Sequence, residues 1–191
     1  MPNEIQEILF MHTDTFEVGG WGPATSSASH LNVVIAYADF SSASMAKRIL
    51  HDAIAVLSSH FVVDMSFWKF ELLQSSTLQE MAMQDAARAQ IIVIAAEKEY
   101  GLPDGAKKWV EACLTNPEVK DVAFVALLRD EAQTDEDSSP LLDGFDHFAS
   151  GGKTDFFWFI ANENHGQRLA AEKIIQLACH MPVIDGMECV G

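Results

Sequence analysis

Apolar residues along this chain fall in short unbroken runs separated by amphipathic stretches. Residues 33–37, Val-Val-Ile-Ala-Tyr, are the first such run, and an apolar, β-rich run of that length predicts a strand buried on both faces. Ser41 or Ser42 then reads as a helix N-cap. Met45, Ile49, Ala53, Val56 and Leu57 recur behind it at helical spacing, with Lys47 and Arg48 on the outer side. A second strand is predicted over 61–65, and Ser75-Ser76-Thr77 opens a helix continuing through Met81, Met83 and Ala87. Residues 91–96 are the most apolar stretch of the chain and predict a third strand. Pro103, well tolerated in a first turn, starts a helix whose inner face is Trp109, Val110, Cys113 and Leu114. Residues 122–128 and 156–160 predict strands four and five, and residues 167–180 a closing amphipathic helix with Leu169, Ile174 and Leu177 inside.

Strands alternating with helices, each strand apolar throughout, predict an α/β three-layer sandwich. Its centre is a five-stranded parallel sheet, and the family likenesses of this strand–helix succession imply the order 2-1-3-4-5. The alternation breaks once. Residues 129–140 are too dense in charge to bury an apolar face, and a short helix or turn from Leu141 to Phe148, ended by Gly151-Gly152, is the expected stand-in. Residues 1–30 lie outside the repeat and form an N-terminal arm, which leaves 31–191 as the α/β domain. The arm carries Ile5, Ile8, Leu9, Phe10, Phe16 and Trp21, side chains that a soluble monomer rarely leaves in water. It is expected to pack across its own sheet edge or onto a second copy, which would make a homodimer.

Composition narrows the partners. A length of 191 residues with 49% hydrophobic and 21% charged side chains suits one globular domain. The net charge of −16 argues against nucleic acid and against an anionic membrane, leaving a protein as the expected partner. Three cysteines without a Cys-x-x-Cys pair suggest neither a disulfide framework nor a zinc site. No basic leader opens the sequence, and no apolar run approaches the ~18 residues that span a bilayer, so the cytoplasm is the expected location.

The familiar motifs fail one by one. Gly151-Gly152-Lys153-Thr154 has the ending of a phosphate-binding loop, but His147 stands where its first glycine belongs and a strand follows instead of a helix. No Gly-x-Gly-x-x-Gly and no Gly-x-Ser-x-Gly occurs. The seven histidines lack the spacing of a helical metal pair. Asp135 and Asp137 suggest a calcium loop, but Pro140 replaces its turn glycine. No cofactor and no metal is therefore expected from motifs. Open parallel sheets take ligands at the carboxyl ends of their strands. The residues projected there are Asp39, Ser41, Ser42 and Ser44, with Phe40 and Ala43 between them, after strand one, Trp68 with Lys69 after strand two, and Glu97, Lys98 and Glu99 after strand three. Arg129 and residues 162–165 follow strands four and five. Asp39, Glu97 and Glu99 would make an acidic corner, able to take Mg²⁺ through oxygen ligands but read here as a solvated rim.

Three families share this strand–helix order. With Asp39 closing strand one and Leu102-Pro103 matching a Met-Pro step, residues 31–181 resemble the receiver domain of two-component signalling. That resemblance puts Glu99 at the phosphoacceptor position as a permanently charged mimic. Leu127-Leu128-Arg129 and Ile160-Ala161-Asn162 lack the hydroxyl and the lysine that stabilise an aspartyl phosphate in that family, so it implies no phosphotransfer. Residues 34–39, 46–50 and 86–96 are similar to the opening of a Toll/interleukin-receptor domain, whose NAD-cleaving glutamate would be sought near Trp109, at Glu111. The hydroxyls of Ser41, Ser42 and Ser44 after strand one resemble the phosphate cradle of flavodoxin-like FMN proteins, without its glycine. The function expected from these likenesses is a non-catalytic, receiver-like signalling or adaptor module. The alternative is a flavin- or nucleotide-binding enzyme, either an FMN oxidoreductase or an NAD-cleaving domain, with its site at the strand ends.

Overall fold

In the computed structural model, residues 14–15, 29–119, 121–130, 141, 144–145, 155–162 and 164–180 are described. Strand β1 (Asp14–Thr15) precedes β2 (Ser29–Tyr37), helix α1 (Phe40–Leu57), β3 (Phe61–Lys69) and a 3₁₀ turn (Leu72–Gln74). Helix α2 (Ser76–Ala86), β4 (Ile91–Glu97), α3 (Asp104–Thr115), β5 (Ala123–Arg129), β6 (Phe156–Ile160) and α4 (Asn164–Cys179) complete the order. The sheet runs β1-β3-β2-β4-β5-β6, and its five long strands are all parallel. This is the predicted 2-1-3-4-5 arrangement, a flavodoxin-like α/β fold, with one antiparallel addition. Asp14 and Thr15 of the arm pair with Met65 and Asp64 on the outer edge of β3. The remainder of the arm up to Ala28 lies outside the described residues, as do Gly151–Thr154 and the acidic loop with Asp135 and Asp137.

Alternation along each strand divides the core in two. Leu31, Val33 and Ile35 of β2 and Ile91 and Val93 of β4 face α1 and α4, against Ala46, Ile49, Ala53 and Ile174. Val34, Ala36, Ile92 and Ile94 face α2 and α3, against Ala82, Ala86, Trp109 and Val110. The central strands read as apolar throughout because both faces are covered. Leu141, Gly144 and Phe145 are helical, and buried Leu141 and Phe145 join the second layer, with Phe145 against Phe156 at 4.6 Å. They stand where the sequence lacks a full amphipathic helix.

Two boundaries differ from the sequence reading. β3 runs on to Lys69, four residues past its predicted end. Asp64 and Ser66 interrupt the apolar run, but they lie on the half-covered face of a strand near the sheet edge, where polar side chains are tolerated. The cap of α1 is Asp39 and not a serine: its extended backbone (φ −146°, ψ 176°) lets Oδ1 accept from the Ser42 backbone N–H at 2.7 Å. Among the described residues, no helix is long and apolar enough to cross a membrane.

Candidate functional site at the strand ends

Connections from β2 and β4 leave the sheet towards opposite faces, α1 covering one and α3 the other. A crevice must therefore open between their carboxyl ends, the topological switch point at which doubly wound folds take ligands. Here it is a cavity of about 450 Å³. Ala38 and Asp39 form one wall, and Ala96, Glu97, Tyr100, Gly101 and Pro103 the opposite one. Lys69, Phe70, Glu71 and Gln74 close the β3 side. Tyr100 is an aromatic ring 65% exposed on this wall, and the other tyrosine, Tyr37, is buried edge-on against Phe67. Burial pushes the Tyr37 hydroxyl above its ordinary pKa, against the opposing pull of Lys69. Three carboxylates, those of Asp39, Glu71 and Glu97, line the crevice beside one lysine, and that Lys69 pairs with Glu71 at 3.0 Å. The space is acidic.

The neighbouring strand ends are built differently. Lys98 and Asp130, the residues just beyond β4 and β5, form an ion pair of 3.1 Å with both side chains about 95% buried. Glu97 pairs with Arg129 across the same two strands. Asn162 closes β6 onto β5, its Oδ1 accepting from the Asp130 N–H at 2.7 Å and its Nδ2 donating to the Asp130 carbonyl. Gly166 lets α4 start directly against this end, since a Cβ there would stand 1.9 Å from the Ile160 carbonyl oxygen. A second cavity of about 540 Å³ lies between the tied strands and α1, lined by Phe40, Ser41, Ser44, Arg48, Arg129, Asp130 and Asn162 among others.

Of the residues projected to the strand ends, Asp39 and Glu97 line the same crevice, and Ser41 with Ser44 lines the second cavity. Ser42 is fully buried, and its hydroxyl has no hydrogen-bond partner among the described residues. Trp68, now inside β3, is core: it is 1% exposed and its indole N–H donates to Asp85 at 3.0 Å. Glu99 is exposed in the turn beyond β4 and lines neither cavity. The acidic corner does not assemble, because Glu97 turns to Arg129 and Glu99 to solvent. Among the described residues, no group of three His, Cys, Asp or Glu side chains could hold a metal ion. Glu111 lies exposed on α3 and lines neither cavity, while burial pushes the Cys113 thiol on the same helix up to about 12.

The sequence reading misses Tyr100 and Asp130, and it projects Lys98 to the strand ends without its partner. An aromatic residue between Glu99 and Gly101 signals a turn side chain with nowhere to pack. The buried pair left no local signal, for a lysine in an acidic run reads as solvated.

No protein-family model matches this sequence, and no curated protein matches it either. Solved structures do match. A flavodoxin from Streptococcus pneumonia is 15% identical, covering 80% of this chain and 100% of its own, with a TM-score of 0.53. A short-chain flavodoxin associated with a non-canonical PDU bacterial microcompartment is 16% identical over 78% of this chain and 99% of its own, with a TM-score of 0.52. A flavodiiron core from Synechocystis sp. is 13% identical, covering 80% of this chain and 36% of its own, with a TM-score of 0.53. At these identities the likeness establishes the fold, and the matched folds are flavodoxins and flavodiiron proteins rather than receiver domains. The expected receiver-like, non-catalytic signalling module is thereby corrected, since the strand order that suggested it belongs equally to flavodoxins.

Whether the residues suit FMN can be tested part by part. A planar ring finds walls in the crevice and an exposed aromatic side chain on one of them. The phosphate finds no seat. No glycine occurs between Tyr37 and Leu57 to bring backbone amides close to an anion, and the Ser42 amide already donates to the Asp39 carboxylate. FMN held by its phosphate at the start of α1 does not fit this chain.

Proposed function

We propose that the chain binds a flavin-type ring in the crevice between the ends of β2 and β4. The observation that carries this reading is the crevice itself, at the switch point of a flavodoxin-like sheet, with the 65% exposed ring of Tyr100 on its wall. Large exposed aromatic side chains beside a cavity favour stacking on a planar ligand. Lys69 and Gln74 supply donors for ring carbonyls, and Asp39 and Glu97 supply acceptors for ring or ribityl N–H and O–H groups. A bound flavin would supply electron- and hydride-transfer chemistry. The chain's own contribution is to orient the ring and shield one of its faces from water.

Titration of riboflavin fluorescence with the purified protein tests this. Saturable quenching is expected, weakened about two- to tenfold by Tyr100→Ala, the loss of one stacking contact of about 0.5–1.5 kcal/mol. No quenching at micromolar protein, or quenching indifferent to Tyr100→Ala, would overturn the assignment.

A further inference from the structure

We infer that Asp39 is a specificity-determining residue that turns the crevice against phosphorylated ligands, so that its ligand is the flavin ring without a terminal phosphate. The inference rests on the flavin reading above and sharpens it. Two independent observations support it. The Asp39 carboxylate lies at the N-terminus of α1 and engages the Ser42 amide at 2.7 Å, so it occupies the position and the donor that an incoming phosphate would require. The crevice also carries Glu71, paired with Lys69, and Glu97, paired with Arg129, so the lysine on its lining is already engaged by a carboxylate of the chain. A phosphate would find the crevice cation already engaged and the helix end already neutralised by the Asp39 carboxylate, whose charge repels it. An uncharged ribityl chain meets neither obstacle and can donate its hydroxyls to the same carboxylates.

Asp39→Asn separates this role from a structural one. Asparagine caps a helix as well as aspartate does, so the variant keeps its fold while losing the charge. Riboflavin and FMN are titrated against the full chain and against D39N at low and at high salt, with a thermal melt of each protein. The native chain is expected to bind riboflavin at least about tenfold more tightly than FMN, with a gap that narrows as salt screens the carboxylates. In D39N the ratio should move towards FMN by about tenfold or more, with the melt unchanged. FMN bound by the native chain as tightly as riboflavin, or an unmoved ratio in folded D39N, overturns the inference while the flavin reading stands. If neither flavin binds either protein, the flavin reading falls and takes this inference with it.

Discussion

The ends of β2 and β4 and the ends of β4, β5 and β6 lie along one rim of one sheet, yet the first stretch is open and the second is tied. Between β2 and β4 the chain departs to opposite faces, and beyond one backbone hydrogen bond, Ala38 N–H to the Ala95 carbonyl at 3.0 Å, the connections separate around the crevice. Past β4 and β5 the described residues stay on the α2–α3 face, and where α4 crosses to the α1 face after β6 the strand end is tied to β5 all the same. Lys98 meets Asp130, Glu97 meets Arg129 and Asn162 clamps the Asp130 backbone. Opening is a consequence of topology and would arise with many sequences. Closure depends on particular side chains, and it uses charges whose burial is tolerable only because each is paired.

Breaking the tied end should have the largest effect. Lys98→Met leaves the Asp130 carboxylate buried without its counter-ion, and denaturant unfolding should show a loss of about 3–5 kcal/mol. The double variant Lys98→Met with Asp130→Leu should recover most of that loss. Equal destabilisation by both would mean that packing, and not the uncompensated charge, is what Lys98 supplies. At the open end the effects shrink. Asp39→Ala removes the cap of α1 and should cost about 1 kcal/mol, with Asp39→Asn close to native in the same melt. Smallest of all, Tyr100→Ala should change stability by no more than about 0.5 kcal/mol, because its ring buries little against the protein. A loss of several kcal/mol there would mean that Tyr100 serves the fold, and the contrast between the two ends would collapse.

Parallel strands are readable from the runs at 33–37, 91–96 and 122–128, because burial on both faces leaves an unbroken apolar signature, whereas their order comes from the family likeness and not from the runs. β3 was cut short for the complementary reason: Asp64 and Ser66 mark a face only half covered. The site was less legible. Asp39 and Glu97 could be placed at the strand ends by counting, but counting does not tell which way a side chain turns. Glu97 turns to a neighbouring strand and Glu99 to water, and Trp68 fills the core. Serine and aspartate cap helices about equally well, so residue type alone does not separate Ser41 or Ser42 from Asp39. The extended backbone at Asp39 starts the helix two residues ahead of a Ser41 cap and three ahead of a Ser42 cap. Lys98 and Asp130 are 32 positions apart and were invisible to any local pattern.

The pairing of Lys98 with Asp130 also limits how this lineage can vary. Either residue changed alone strands a charge in the interior, so drift at one position is purged unless the other changes with it. The two should be inherited as a unit or replaced together by apolar residues. Among divergent descendants of this fold they should covary more tightly than Asp39 or Tyr100 do with any neighbour, and a sequence keeping one without the other should have rebuilt the ends of β4 and β5.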